Sequence, residues 1–272
     1  MGFQTLPRGG KGDYPWWLVA LCVSAVVLAA VIFFNGIYAQ VFLTVANGIG
    51  VTIFVTLVAF CLATLLGLGI ALLGLSDSNA LRQISRFYIE VIRGIPMLVL
   101  LFYIAFVGAP GFVAAYNWLI TPLTRAGLAE PLLVRDFSLM WRAIMALTIG
   151  YSAFIAEIFR AGIQSVDKGQ IEASKALGLS RVQRFRLVVF PQAIRVIFPP
   201  LSNDFVAMVK DSSLVSVLGV ADITQMGKVY ASGSFRFFET YSIVAYIYLI
   251  LTIGLSLMLR SFEKRMRRKT ER

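Results

Sequence analysis

Several runs of about 20 apolar residues, nearly free of charge, limit this chain more than any other feature. At 1.5 Å rise per residue, a helix of that length crosses a hydrocarbon core of about 30 Å. Composition agrees: 58% of the 272 residues are hydrophobic and only 14% are charged, against roughly 25% charged in a soluble domain. The fold class read from this is an all-α integral membrane protein with about six transmembrane helices.

Apolar length and breakers place the spans near 16–34, 47–75, 84–107, 140–160, 190–210 and 241–260. The first run, Trp16 to Phe34, is 19 residues long, beyond the 7–15 of a signal-peptide core. Ile37-Tyr38-Ala39 also puts a large residue where cleavage wants a small one, so the run reads as a retained helix. Gly67, Gly69 and Gly74 enrich the second span in small residues that let helices approach closely. The fifth span, LVVFPQAIRVIFPPLSNDFVAMVK, carries Pro191, Pro199, Pro200, Arg195, Asn203 and Asp204. A broken, polar helix survives at membrane depth only where it faces protein or a wet cavity. Gly108 to Leu139 reads as a loop of about 32 residues whose apolar stretch, FVAAYNWLI, is too brief to span, so surface helices are expected there. The segments are therefore 1–46 (N-terminus and first helix), 47–260 (transmembrane domain, with an elbow at 161–190) and 261–272 (basic tail).

The net charge of +11 need not imply nucleic acid, because the basic residues lie where membrane topology wants them. With both termini cytoplasmic, the inside segments hold 17 Lys and Arg, including Arg8, Lys11, Arg82, Arg86 and seven from Arg260 onward. The outside loops hold four, Arg125, Arg135, Lys228 and Arg236. The positive-inside rule selects this orientation. The tail RSFEKRMRRKTER suits anionic lipid headgroups. Cys22 and Cys61 lie in apolar runs and read as small buried side chains. The chain has no histidine, which removes His-based triads, the commonest metal ligand and the usual proton shuttle. No metal site is expected.

The stretch AGIQSVDKGQIEASKALGLSRVQRFRLVVFPQA encodes two short helices joined by a glycine. Asp167 with Gln170, and Ser180 with Gln183, have capping-box spacing. Gly178 sits where a left-handed residue ends a helix, and Pro191 marks re-entry into the membrane. Such an elbow, basic outside and apolar at Ile171, Leu177 and Leu179, implies that something docks on it.

Glu172-Ala173-Ser174, Gly178 and Pro191 resemble the cytoplasmic loop of binding-protein-dependent ABC importer permeases. That pattern is Glu-Ala-Ala, three residues, Gly, nine residues, then Ile-x-Leu-Pro. Every spacing agrees, with Ser174, Val188 and Phe190 as mild substitutions. IEVIRGIPMLVLLFY, YSAFIAEIFRAGIQSVDKGQ and NDFVAMVKDSSLVSVLGV are similar to stretches of the polar amino-acid (histidine/glutamine/glutamate/arginine-type) permeases, so the likeness covers about 47–260. The resemblance implies a type I ABC importer permease fold in a bacterial inner membrane. Glu172, Ala173, Ser174, Gly178 and Pro191 would couple to cytoplasmic ATP-binding subunits. It also implies an extracytoplasmic substrate-binding protein and a second permease chain, like or unlike. The 108–139 segment departs from the family by its length. No ATP-binding glycine loop is present; PRGGKG at 7–12 lacks the spacing. ATP and Mg are thus expected in the partner, with no cofactor and no enzymatic chemistry in this chain.

A charge at the bilayer centre costs about 3 kcal/mol on insertion scales. Glu157 and Arg160 read as a structural ion pair, with each other or with Arg93, whose Arg93-Gly94-Ile95-Pro96 stretch kinks the third span. Asn203, Asp204, Lys210, Asp211, Ser212 and Ser213 are candidates for the substrate path, since carboxylates can hold an ammonium and lysine a carboxylate. Helix–helix contact explains them equally well. Two other classes remain open at this point. A stand-alone secondary transporter or channel for small polar solutes would need no elbow and would carry a coupling acid at mid-membrane. An intramembrane enzyme would need a nucleophile and base, or a metal cluster, which these residues do not supply.

Overall fold

The computed structural model describes residues 16–268, and every regular element among them is helical. Arg8, Lys11, the PRGGKG stretch and the last residues of the basic tail lie outside the described residues. Among the described residues the chain makes six helical passes, four of them long and apolar enough by themselves to cross a membrane. The first is α1 (Trp16–Phe34). Asn35 then caps α2 (Gly36–Ala46), its Oδ1 accepting from the Ile37 amide at 3.0 Å. With α3 (Ile49–Gly74), α2 forms an apolar stretch of 39 residues that turns at Asn47–Gly48.

The third pass departs from the expected 84–107. Pro96 drives Ile95 into an extended conformation (ψ 129°), so α4 (Asn79–Gly94) ends as a separate amphipathic helix. The apolar pass begins beyond the break and runs through α5 (Met97–Tyr103), a π turn (Ile104–Gly108) and α6 (Ala109–Arg125), 29 residues in all. The GAPG stretch looks like a helix breaker but does not act as one. Pro110 falls in the first turn of α6, where its missing N–H is not needed. FVAAYNWLI is therefore the far half of a spanning helix, and the long loop shrinks to 126–138.

That loop is held by two side chains. The Asn117 amide donates to the Leu132 carbonyl and accepts from the Leu132 N–H, both at 2.8 Å. Arg142 donates to the carbonyls of Phe137 (2.8 Å), Val134 and Ala105 (3.2 Å). The last of these lies in the π turn, where the shifted bonding register leaves carbonyls in want of donors.

The fourth pass is α7 (Leu139–Gln164), and α3 against α7 is the most extensive helix pairing in the bundle. Val55, Ala59, Ala63, Leu147 and Ile155 are buried in one core that includes this seam. Gly67 lets the backbones touch: a Cβ there would stand 2.9 Å from the Ser152 carbonyl oxygen and from the Ile155 side chain. The elbow follows as α8 (Lys168–Ala176) and α9 (Arg181–Arg184). A π turn (Phe185–Val189) then runs without a break into α10 (Phe190–Asp211), the fifth pass. At 22 residues, α10 is about 33 Å long and can span. A 3-10 turn (Ser212–Leu218) and α11 (Ile223–Ser234) lead to the sixth pass, α12 (Phe237–Arg268). A second core joins α2, α11 and α12 through Val41, Val45, Ile223 and Ile243. Asp222, fully buried, fixes this junction by accepting from the Gln225 amide (2.8 Å) and the Tyr248 hydroxyl (3.1 Å).

Candidate functional site: an elbow and a polar intramembrane pocket

In the elbow, Asp167 Oδ1 accepts from the Gln170 amide at 3.2 Å and starts α8. The reciprocal bond of a full capping box is not made, because Gln170 Oε1 instead accepts from Gln192 Nε2 and so ties α8 to the root of α10. Gly178 has φ +74°, the left-handed conformation that ends α8. Ser180 and Gln183 form both halves of the second capping box. Glu172 and Ala173 are exposed, whereas Ser174 is buried with its hydroxyl on the Ile171 carbonyl at 2.7 Å. Pro191 does not interrupt the chain as expected. It occupies the first turn of α10, after a π bond from the Phe190 N–H to the Phe185 carbonyl, so the second elbow helix and the fifth pass form one rod.

Around this frame lies an exposed apolar surface. Leu177 is 80% exposed and Val182 75%, with Phe185, Leu187 and Phe190 also open and Arg181 and Arg186 exposed beside them. Ile171 and Leu179 are only half-buried. A connecting segment gains nothing by presenting leucine and valine to water, and clusters of this kind mark interaction surfaces.

The polar residues of the fifth pass do not form one group. Asp204 and Asp211 point into a cavity of about 220 Å³ whose wall includes Tyr151, Phe154 and Met97. Tyr151 donates its hydroxyl to Asp211 Oδ2 at 2.8 Å. Asp204 Oδ2 is buried and has no hydrogen-bond partner among the described residues, an arrangement that costs stability unless a guest or water completes it. Asn203 faces the other way, into a groove shared with Ser202, Ser256 and Arg260. Lys210 is exposed and outside the cavity wall. Ser212 is buried with its hydroxyl occupied by the Val209 carbonyl at 2.7 Å, and Ser213 is half-buried outside the cavity.

Glu157 and Arg160 are bonded to each other at 2.8 Å (Nη2–Oε2) and 3.2 Å (Nε–Oε1). Arg93 joins neither; its guanidinium lies 5.3 Å from the centre of the Phe154 ring, a cation–π contact at the cavity edge. Tyr151 and Phe154 escaped the sequence reading, although a tyrosine beside Gly150 in mid-span was a visible signal. Arg142 escaped it too, since an arginine opening a span looks like an interfacial anchor.

Six helical passes among the described residues, with an elbow turned at Gly178 between the fourth and fifth, are the architecture of a multi-pass membrane subunit. The chain belongs to the family described as binding-protein-dependent transport system inner membrane components, whose model matches residues 63–268. It is 36% identical over 225 residues to the probable amino-acid permease YxeN of Bacillus subtilis (strain 168), covering 83% of this chain and 92% of that protein. It is 39% identical over 186 residues to the glutamine transport permease GlnP of Escherichia coli (strain K12), covering 68% and 75%. A solved amino acid ABC transporter with histidines superposes with a TM-score of 0.66 at 38% identity, covering 84% of this chain and 95% of that one. The MetNI methionine transporter shares the fold (TM-score 0.63, 20% identity). The protein is thus a multi-pass ABC importer permease subunit, not a stand-alone carrier.

Proposed function

We propose that this chain forms the translocation path of an ATP-driven importer of polar amino acids and couples to a separate ATPase through its elbow. The exposed apolar elbow carries the reading: Leu177 and Val182 are held outward by the Gly178 turn and make sense only against a partner. That partner is a cytoplasmic ATP-binding subunit that holds ATP and Mg. With a second permease chain and a binding protein on the far side, it completes the transporter. Both termini and the elbow are cytoplasmic on this reading, supported by the excess of basic residues at the elbow end. ATP binding closes the ATPase pair, the elbow transmits the closure along the continuous α9–α10 rod, and the paired permeases switch which side is open. Amino acid as cargo follows from the relatives' names and from Asp204, a carboxylate oxygen suited to an ammonium. Asn203, Lys210, Ser212 and Ser213 are assigned to the path as its flanks, outside the cavity that Asp204 and Asp211 line.

The test is uptake of labelled amino acids by proteoliposomes containing the permease, its ATPase and the loaded binding protein. Uptake that requires enclosed ATP is expected. Uptake that follows an ion gradient without ATP would overturn the proposal. In whole cells, a cysteine at Ser165 should be shielded from an impermeant thiol reagent and one at Leu128 should label. The reverse pattern would invert the orientation.

A further inference from the structure

A second charged cavity, of about 320 Å³, lies at the elbow end of α3, α4 and α7, apart from the Asp204 pocket. Arg82, Arg86 and Glu90 of α4 face Glu157 and Arg160 of α7 across it. The hydrogen bonds within the chain account for part of this charge only. Arg82 Nη1 donates to the carbonyls of Ser76 and Asp77 at 3.0 and 3.1 Å. Arg160 uses Nε and Nη2 on Glu157. A guanidinium has five N–H donors, so Arg82 keeps Nε and Nη2 and Arg160 keeps Nη1. Arg86 and Glu90 form no hydrogen bond or ion pair among the described residues. The wall thus offers spare guanidinium donors, one free carboxylate and a net formal charge of +1.

The same helix turns an apolar stripe outward. Leu81, Ile84, Phe87 and Val91 follow each other at three- and four-residue spacing, and Phe87 is 71% exposed. Sixteen residues of helix are about 24 Å, too short to span, and the Pro96 break detaches α4 from the pass that follows. A short helix with apolar residues on one face and arginines on the other lies along a bilayer interface. A soluble anion would use the charges and leave the stripe without a role. An amphiphile uses both.

We propose that this cavity seats the headgroup of an aminophospholipid such as phosphatidylethanolamine. Arg86 and the spare donors of Arg82 and Arg160 hold the phosphodiester, Glu90 accepts from the primary ammonium, and the acyl chains lie along Leu81, Ile84 and Phe87. The leaflet is the cytoplasmic one if the orientation proposed above is right. Phosphatidylcholine offers the same phosphodiester but no N–H to Glu90, so it should bind more weakly.

The test is lipid titration of the purified complete transporter in detergent, read by native mass spectrometry. Phosphatidylethanolamine should be retained about tenfold more tightly than phosphatidylcholine, the size expected for one hydrogen bond to a charged group. Arg86→Gln should weaken both lipids, and Glu90→Gln should remove the preference between them. Both residues are exposed and bonded to nothing described, so the fold should tolerate either change. Unchanged retention in Arg86→Gln would overturn the site. Displacement of the lipid by an equal concentration of soluble phosphoethanolamine would also overturn it, replacing it with a site for a soluble zwitterion. External labelling of a cysteine at Gln83 would reassign the leaflet alone, so the orientation can fail separately from the lipid site.

Discussion

In the elbow almost every turn is set by residues within four positions of it, whereas the Asp204 pocket draws its wall from Met97, Tyr151 and Asp211 on three separate elements. Each region follows from its task. A docking element must keep its shape while exposed to water, so its helices are closed by their own residues: the side chains of Asp167, Ser180 and Gln183 and the left-handed backbone of Gly178. A pocket on a transport path must change as the helices move, so its polar groups are shared between elements that can separate. The elbow should therefore respond to changes in backbone conformation, and the pocket to changes in charge. The wall that both depend on, α3 against α7, should respond to volume.

The largest effect is expected in that wall. Gly67→Ala would place a methyl carbon 2.9 Å from the Ser152 carbonyl oxygen, which is backbone and cannot rotate away. Overpacking of this kind costs about 1–3 kcal/mol. Yield of folded protein and its melting temperature in detergent should both fall, and an unchanged melt would show that the α3–α7 seam can give. Gly178→Val should do the opposite. Nothing lies within 4 Å of a Cβ at that position, so the only penalty is the left-handed backbone, about 1–2 kcal/mol. Insertion should survive while the elbow helices misorient, giving ATP hydrolysis without transport and uptake reduced more than tenfold. Normal uptake would remove the elbow from the coupling mechanism.

This division also explains which parts were legible in the sequence. The elbow could be read almost residue by residue because capping and left-handed glycine are local signals. The exception is the Asp167–Gln170 pair, whose second bond is diverted to Gln192, 22 residues further on. Four of the six passes are long and apolar enough to be read from length alone, and the third lies further along the chain than length and breakers place it. Ile95–Pro96 looks like a kink within a span but marks its beginning, while Gly108-Ala109-Pro110-Gly111 looks like its end but lies within continuous helix. At Pro110 the missing N–H falls in the first turn of α6, just after the π turn, where no intrahelical bond is lost. The pocket was legible only in its α10 half. Asp204 and Asp211 are conspicuous in an apolar run, yet nothing in the sequence says that Tyr151 meets Asp211 or that Asn203 faces a different groove. Those facts depend on how α7 and α10 are rotated against each other.

A charge test separates cargo contact from scaffold at Asp204. Its Oδ2 is buried without a partner among the described residues, so the carboxylate lowers stability rather than raising it. Asp204→Asn keeps the volume and removes the charge. The melting temperature should hold or rise, ATPase activity stimulated by loaded binding protein should persist, and uptake should fall roughly tenfold with a shift in substrate preference, the size of one hydrogen bond to a charged group. Lost expression with unchanged uptake per folded transporter would leave Asp204 as scaffold.

The smallest effect is expected at Tyr151, and it tests whether the pocket acts as a unit. Tyr151→Phe removes the hydroxyl that holds Asp211 Oδ2 at 2.8 Å, a net loss of about 0.5–1.5 kcal/mol. Asp211 is then freer to move and less well placed against a guest in the same cavity, so uptake should fall a few-fold. If Tyr151, Asp204 and Asp211 hold one guest together, Tyr151→Phe should cost less in an Asp204→Asn background than in the wild type, because the site it supports is already impaired. Groups in one network couple in this way, whereas distant groups add. If the Tyr151 hydroxyl only braces α7 against α10, the melting temperature should drop equally in both backgrounds and uptake per folded transporter should not change. The double-mutant comparison therefore distinguishes a binding pocket from an interhelical brace.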